Sequence, residues 1–342
     1  MQDTLLRKAA IVGTGSYLPE TIRTNEWFEK FELLTSGTEI FDDSGVKERR
    51  VVSDEMKSSG MEILACQDAL KKTGIKAEEI DLILCNSNIH DQLQPGNAFL
   101  IQHKLGAKNA GAFNFDSACT SFINCLIIAN SMIAGGECET ILIVSSTTWT
   151  RVADYTEKKC MLMGDGAGAV ILKPAKTEGR GYLGSYFISH GDLYYTMGRK
   201  VKKPEGWKGE RTYYNGDPEK LYLFIDRTKE GLDKIRELGP VQTVEITKKA
   251  LQKCGLTIKD IDFFITHQPA KFILEAWRNS LGLKEGQYYD TLARYGNLSN
   301  ASIPVNLDGA LRLNMLQDDD IVAFSSHGMG VNVSSAIFRW GI

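Results

Sequence analysis

The stretch "ALKKTGIKAEEIDLILCNSN", residues 69–88, aligns without a gap with "ALQKCGLTIKDIDFFITHQP", residues 250–269. Both segments end a predicted helix, turn at a glycine, pass the pair "ID" and enter an apolar run typical of a buried strand. A second match pairs "ETILIVSS", residues 139–146, with "DDIVAFSS", residues 319–326. The offsets, 181 and 180 residues, are nearly equal and far too long for a solenoid. They indicate a duplicated domain.

The duplication predicts two halves, residues 1–175 and 176–342, that share one topology. In each half short apolar strands alternate with helical stretches, which predicts an α/β protein with parallel sheets flanked by helices. The segment "CLIIANSMIA", residues 125–134, is apolar on every side. Such a helix is expected to be buried all round, between two sheets.

Composition and charge exclude several classes of protein. The formal net charge of −3 over 342 residues disfavours a nucleic-acid partner. The start "MQDTLLRKAA" lacks a signal-peptide layout, and the apolar run 122–134 is too short to span a bilayer. Seven scattered cysteines without a CxxC pair predict neither a disulfide framework nor a zinc site. We expect a cytoplasmic protein without a membrane segment.

Three chemically capable residues fall at matching places in the two predicted halves. Cys119 begins the buried helix of the first half, and the corresponding turn of the second half, "YGNLSNAS", carries Asn297 and Ser299. His267 follows a strand whose counterpart ends near Asn86. Because active sites in α/β sheets gather at the carboxyl ends of strands, we expect Cys119, His267 and Asn297 to converge.

The chemistry of these residue types fits a nucleophilic site. A cysteine at a helix N-terminus lies beside unsatisfied backbone N–H groups, which favour the thiolate. A nearby imidazole favours it further, and the first amides of the helix can hold an oxyanion. Taken alone, Cys119 is more easily explained as a packing residue, His267 as a core histidine and Asn297 as a turn residue. Their matched positions favour catalysis.

The motifs of the chain resemble, in order, those of thiolase-fold condensing enzymes, closest to β-ketoacyl-acyl carrier protein synthase III. They span essentially the whole chain and are "VGTGSYLPE", "SGVKERR", "SACTSF", "GDGAGAVIL", "THQPAKFI", "YGNLSNASIP" and "SAIFRW". The resemblance implies a thiolase fold, with duplicated βαβαβαββ halves in a five-layered αβαβα sandwich. It also implies a homodimer whose sheets pair across the interface.

The same resemblance implies a ping-pong acyltransferase reaction that needs no metal or bound cofactor. Cys119 would take an acyl group from a thioester, with the backbone N–H groups of Cys119 and Met329 as the oxyanion hole. A malonyl-type thioester on an acyl carrier protein would bind through His267 and Asn297, lose carbon dioxide and attack the acyl-cysteine. The product would be a β-ketoacyl thioester for fatty acid or polyketide-like biosynthesis.

Several positions depart from the family's pattern and predict a changed substrate rather than a changed reaction. Glu39 and Asp43 stand where the family has a tryptophan and an arginine that hold the adenine and phosphates of coenzyme A. Arg151 remains as a candidate nucleotide contact. Gln94 replaces a phenylalanine that reaches into the partner subunit's acyl pocket. Met329 replaces the middle glycine of the C-terminal run, so its side chain is expected to reshape the pocket.

Positions after the histidine differ as well. Ala270 and Phe272 replace an asparagine and an arginine of the family, so we expect the pantetheine arm and the carrier to use other residues. Lys271 and Arg278 are the candidates.

Other motifs have ordinary explanations beside the functional ones. "GTGSYL", residues 13–18, and "GDGAG", residues 164–168, look like nucleotide loops, but the second runs into an apolar strand, so no dinucleotide site is expected. His327 fits a structural hydrogen bond as well as a catalytic role. The basic run 198–211 is interpreted as a solvated loop, with docking of an acidic carrier as the alternative.

Alternatives to decarboxylative condensation stay open. On the same scaffold Cys119 could pass its acyl group to an oxygen or nitrogen nucleophile, or two β-ketoacyl units could be condensed. From a different class, the chain could be a non-catalytic partner subunit, which the intact set of Cys119, His267 and Asn297 disfavours.

Coenzyme A thioesters should be poorer donors than the same acyl group on a carrier protein, because Glu39 and Asp43 would repel the nucleotide phosphates. Each lost contact is worth on the order of 1–3 kcal/mol, so kcat/KM should differ by roughly two or more orders of magnitude. The measurement compares one acyl group on both carriers. Equal use would contradict the expectation, and Glu39→Trp with Asp43→Arg should narrow the gap.

Overall fold

The structure is a computed structural model that describes residues 7–31, 44–153, 158–194, 197–202, 222–227 and 229–342. The helices are α1 (Ser58–Thr73), α2 (Asn97–Leu105), α3 (Ser121–Ala134), α4 (Trp149–Val152), α5 (Lys229–Lys253), α6 (Lys271–Leu281), α7 (Leu292–Tyr295) and α8 (Ser302–Arg312). The strands are β1 (Ala9–Tyr17), β2 (Thr21–Thr24), β3 (Glu48–Val51), β4 (Leu82–Ser87), β5 (Gly111–Asn114), β6 (Ile141–Thr148), β7 (Asp165–Pro174), β8 (Gly181–Ser189), β9 (Met197–Lys202), β10 (Tyr222–Arg227), β11 (Phe263–Thr266), β12 (Ile321–Gly328) and β13 (Asn332–Arg339).

Two main sheets repeat one strand order. The first runs β1-β7-β6-β4-β5 and the second β8-β13-β12-β11, so β5 at one edge is the extra strand of the first sheet. The predicted duplication therefore appears in the topology. The sheets are mixed: the predicted parallel pairing holds for β4 with β5 and β6 and for β11 with β12, whereas β7 and β13 are antiparallel to their neighbours. A three-residue link joins β12 to β13, and so short a connection fits only an antiparallel pair.

The sheets and helices stack in five layers because each strand alternates two apolar faces. The inner faces of both sheets pack on α3 and α8, in one core that includes Leu84, Phe122, Ile143, Leu126, Phe263, Ile303, Leu307 and Phe324. The outer face of the first sheet packs on α1 and α2, and that of the second on α5 and α6. The five-layered thiolase fold expected from the sequence is confirmed.

The central helix α3 is buried over most, but not all, of its surface. Phe122, Ile123, Cys125 and Leu126 have no exposed area, whereas Ser131 near its end is exposed. The expectation of complete burial is thus wrong for the last turn. Because α3 and α8 share one core, the boundary between residues 175 and 176, which lies in the link from β7 to β8, stays a prediction.

The two glycine motifs serve close packing. A Cβ at Gly15, in β1, would lie 2.3 Å from the carbonyl oxygen of Ala65 in α1. A Cβ at Gly164, just before β7, would lie 1.9 Å from the carbonyl oxygen of Tyr295. Both contacts are shorter than a side chain permits, so glycine is required without any phosphate to bind.

A buried carboxylate connects the two halves. Asp308, in α8, accepts hydrogen bonds from Thr14 (2.8 Å) and Ser16 (2.6 Å) in β1 and pairs with Lys72 (2.7 Å) in α1. Burial alone would raise the pKa of Asp308, but these hydrogen bonds and the Lys72 charge outweigh it and hold the pKa below its usual value.

No helix within the described ranges is both long and apolar enough to cross a membrane.

Candidate active site

Cys119 lies in the 3₁₀ turn Ala118–Thr120, which leads directly into α3. Its neighbour Ala118 has φ of +54°, a left-handed conformation that is strained for a residue with a Cβ. The hydroxyl of Ser326, in β12, donates to the carbonyl oxygen of Cys119 at 2.8 Å. Cys119 retains 9% exposure, whereas Cys125 in α3 has none. The turn therefore presents Cys119 at the end of the buried helix, as the sequence predicts.

His267 follows directly after β11 and is buried. Its Nδ1 lies 3.0 Å from the carbonyl oxygen of Ser299. A carbonyl can only accept, so Nδ1 carries the proton and Nε2 of the neutral ring is an acceptor. Burial lowers the pKa of His267 to about 4, although the Ser299 carbonyl acts in the opposite direction. At neutral pH the ring is thus a buried base with Nε2 unprotonated.

Asn297 is held by main-chain and side-chain hydrogen bonds. Its N–H donates to the carbonyl of Leu162 at 2.7 Å, and its own carbonyl accepts from the N–H of Gly164 at 3.3 Å. The side-chain Oδ1 accepts from the backbone N–H of Ser299 at 2.8 Å. Because Oδ1 faces a donor, Nδ2 is the amide atom left to donate to a bound group.

Ser299 contacts all three predicted residues, although sequence reasoning assigned it no role. Its N–H donates to Asn297, its carbonyl accepts from His267, and its hydroxyl lies 3.4 Å from Sγ of Cys119. Its φ of +50° nearly equals that of Ala118, the residue at the matching place of the repeat. The alignment of Ser299 with Ala118, which directly precedes Cys119, was the one sequence signal that pointed to Ser299.

The repeat also supplies a second pair of matching positions. The offset of 181 residues places Asn300 opposite Cys119 and His267 opposite Asn86. Nδ2 of Asn300 donates to the carbonyl oxygen of Asn86 and lies 3.3 Å from its Oδ1. These two residues touch, and Cys119 and His267, at the positions that match them in the repeat, both contact Ser299.

The turn between β12 and β13 abuts the amide of Cys119. A Cβ at Gly328 would lie 3.2 Å from the backbone nitrogen of Cys119. Met329 follows in this turn, and its carbonyl accepts from Nδ2 of Asn332 at 2.8 Å. Asn332 in turn accepts from the hydroxyl of Thr120. These contacts place the turn that carries Met329 beside Cys119, where an oxyanion hole would be.

The remaining candidates lie farther out or are engaged elsewhere. Arg151, in α4, is exposed and donates to the carbonyls of Ser53 and Asp54 (2.8 and 2.6 Å). Gln94 is exposed, and Phe272, in α6, is 52% exposed.

The charged candidates divide differently. Lys271 is exposed, whereas Arg278 pairs with Asp290 and stacks over Tyr288 at 3.8 Å. Arg278 is therefore a poor docking residue, because its charge is already paired and largely covered. Glu39 and Asp43 lie outside the described residues. Within the described part of the chain, no cluster of three or more His, Cys, Asp or Glu side chains could hold a metal ion.

Two family models match this chain. One describes 3-oxoacyl-[acyl-carrier-protein] synthase III and matches residues 113–191, and the other describes the C-terminal part of the same enzyme and matches residues 251–340. The chain is 33% identical over 339 residues to the β-ketoacyl-[acyl-carrier-protein] synthase III of Natranaerobius thermophilus, which covers 98% of this chain and 100% of that one.

Other relatives agree over the same length. The synthase III of Geobacillus kaustophilus is 34% identical and covers 97% of this chain and 99% of its own. The crystal structure of 3-oxoacyl-[acyl-carrier-protein] synthase III from Aquifex aeolicus gives a TM-score of 0.83 at 27% identity, over 97% of this chain and 100% of that one.

The duplicated sheets around α3 and α8 define an acyltransferase of the thiolase fold. Within that class the chain belongs to the β-ketoacyl-[acyl-carrier-protein] synthase III family of condensing enzymes.

Replacing Cys119 with Ala should abolish acylation by a thioester and the fastest reaction with iodoacetamide, whereas Cys125→Ala should leave both intact. Cys125 is fully buried, and burial raises its pKa to about 12, so at pH 7 only about one thiol in 10⁵ is ionised. Intact-mass and peptide-mass spectrometry measure both reactions. A first adduct mapped to any other cysteine would show that the nucleophile is wrongly assigned.

Proposed function

We propose that Cys119 takes an acyl group from a thioester and that the acyl-enzyme condenses with a malonyl-type thioester carried on acyl carrier protein. The observation that carries this proposal is that Ser299 contacts Cys119, His267 and Asn297 through three different atoms. The names of the relatives, acyl-carrier-protein synthases, support a carrier-bound substrate. Under this proposal the chain is an active enzyme rather than a non-catalytic partner subunit.

In the first half-reaction His267 acts as the base. Its unprotonated Nε2 takes the proton of the Cys119 thiol, and the thiolate attacks the thioester carbonyl. The backbone N–H groups of Cys119 and Met329 hold the resulting oxyanion. When the tetrahedral intermediate collapses, the carbon–sulfur bond to the carrier breaks. The departing thiolate recovers the proton from His267, so the ring is neutral again.

In the second half-reaction Asn297 supplies the hydrogen bond that matters most. Its Nδ2 donates to the carbonyl oxygen of the malonyl thioester and stabilises the enolate formed when carbon dioxide leaves. The enolate carbon then attacks the acyl carbon on Cys119, and the cysteine thiolate is expelled and takes a proton from solvent.

This assignment refines the expectation that both His267 and Asn297 donate to the same oxygen. Nε2 of the neutral His267 has no proton to give, because Nδ1–H is bonded to the Ser299 carbonyl. With the pKa of His267 near 4, a doubly protonated ring is scarce at neutral pH. Of these two side chains, Asn297 alone is therefore a donor in the resting site.

Substituting Asn297→Asp should spare acylation of Cys119 and suppress condensation. The carboxylate can still accept from the Ser299 N–H, so the turn is kept, but it cannot donate and it repels the enolate. Loss of one such donor typically lowers the rate by about 10²–10³. Loading the variant with acyl thioester and chasing with malonyl carrier protein separates the two steps. Poor loading followed by normal condensation would contradict this assignment, because it would place Asn297 in the acylation step instead of the condensation step.

We also propose that the enzyme is a homodimer joined at the edge of the first sheet. Leu93, Phe99 and Phe113 are 67%, 54% and 41% exposed, and Phe113 lies on the edge strand β5. Among the described strands β5 pairs with β4 alone, so its other edge is open. An apolar surface beside an open edge strand is typical of an interface, and a second copy of this chain extends the sheet symmetrically.

Phe99→Asp should convert a dimer to a monomer in sedimentation velocity, because it places a charge in the centre of the apolar surface. Phe187→Asp is the matched control: Phe187 is 62% exposed but lies on β8, at the edge of the other sheet. A monomeric parent protein, or equal effects of the two substitutions, would contradict this interface.

A further inference from the structure

Five buried side-chain polar atoms of the second half have no hydrogen-bond partner in the described structure, and three of them lie in α5 and near the end of β12. These three are Nε2 of His327, Oε1 of Gln242 and Oγ1 of Thr243. His327 ends the buried part of β12, and the other two residues lie in α5. A buried polar atom without a partner costs on the order of 1–3 kcal/mol, so three in one region call for an explanation.

The packing of α5 on β12 brings these atoms together. Thr247 contacts Ser325 through a 2.7 Å hydrogen bond between their hydroxyls. Just after the C-terminal end of α5, Cys254 lies against Gly184, which pairs through Ile337 with Ala323. The helix therefore runs antiparallel to β12.

From the contact between Thr247 and Ser325, one helical turn back leads to Thr243 and two strand residues forward lead to His327. Both steps cover about 6–7 Å, and His327 lies on the same face of β12 as Ser325. This placement puts Thr243 opposite His327 across the packing of α5 on β12.

Gln242 joins the same region through His190. Its amide Nε2 donates to Nε2 of His190 at 2.9 Å, which leaves Oε1 as the unpartnered acceptor. His327 is close enough to His190 and His267 for their charges to interact, and burial lowers its pKa to about 4. The His327 ring is therefore neutral and holds one N–H and one lone pair.

This region adjoins the proposed acylation site. His327 directly precedes Gly328, and a Cβ at Gly328 would lie 3.2 Å from the backbone nitrogen of Cys119. Ser326 bonds to Cys119 from the opposite face of β12, so an acyl chain on Cys119 reaches His327 round the end of the strand, on the side of His267. The unpartnered atoms include one that can only accept, in Gln242, and two that can accept or donate, in Thr243 and His327. A hydroxyl group, which both donates and accepts, satisfies this set.

We propose that His327, Gln242 and Thr243 form a polar subsite that binds a hydroxyl group on the acyl chain, so that hydroxyacyl thioesters are preferred donors. The proposal rests on the proposed acylation of Cys119 and names the class of acyl group that this cysteine receives. The hydroxyl donates to Oε1 of Gln242 and accepts from Thr243 or His327. An unsubstituted chain leaves all three groups unpaired, and such sites discriminate strongly.

The test measures loading of Cys119 by intact-mass spectrometry with N-acetylcysteamine thioesters of butyrate, 3-hydroxybutyrate and 4-hydroxybutyrate. These small thioesters keep carrier docking and nucleotide binding out of the comparison. At least one hydroxyacyl thioester should load about tenfold or more faster than butyryl thioester. Thr243→Val and His327→Phe should each lower that ratio by about tenfold.

Thr247→Val is the matched control, since Thr247 lies one turn away on α5 and its hydroxyl already has a partner. This variant should show the same ratio of hydroxyacyl to butyryl loading as the parent enzyme. Equal loading of the three thioesters, or a ratio that neither Thr243→Val nor His327→Phe changes, overturns the subsite and means that only water occupies it. If Cys119 accepts none of the three while another cysteine does, the proposed function itself fails, and this proposal with it.

Discussion

The packing of α3 and α8 into one core between two sheets is the constraint on which the rest of the molecule depends. Phe122 and Leu126 on one helix and Ile303 and Leu307 on the other are buried against both sheets. At about 25 cal/mol per Å² of buried apolar area, each such side chain stabilises the fold by about 1.5–3 kcal/mol. Separating the two halves would therefore cost several kcal/mol. The turns that begin these helices are consequently held opposite one another, and those turns carry Cys119 and Ser299.

A duplicated sequence can be recognised without a structure, and here it predicted the equal strand order of the two sheets and the meeting of Cys119, His267 and Asn297 at strand and helix ends. Individual hydrogen bonds were not predictable, because they depend on where backbone atoms from distant segments arrive. Ser299 shows this most clearly: its side chain, N–H and carbonyl each serve a different residue. The protonated nitrogen of His267 follows from one of these contacts, and no sequence pattern encodes it.

The errors of sequence reasoning have physical causes as well. Short apolar strands predicted parallel sheets, but strand direction is set by connection length, and the link from β12 to β13 is too short for a crossover. Arg278 was a candidate for docking, yet Asp290 and the ring of Tyr288 already cover its guanidinium. A charged residue in a sequence does not reveal whether its charge is already paired.

The hydrogen-bonded pair of Asn86 and Asn300 shows how a duplicated protein can distribute incompatible demands. A reacting group must keep lone pairs and protons available, and such vacancies weaken a folded chain. Two related turns allow these demands to be met at separate places: the turn of Asn300 is tied by an amide, and the proposed nucleophile lies in the other turn. A substitution in the turn of Cys119 could then change the chemistry while the turn of Asn300 keeps the two halves joined. A domain present in a single copy has no second turn to do this.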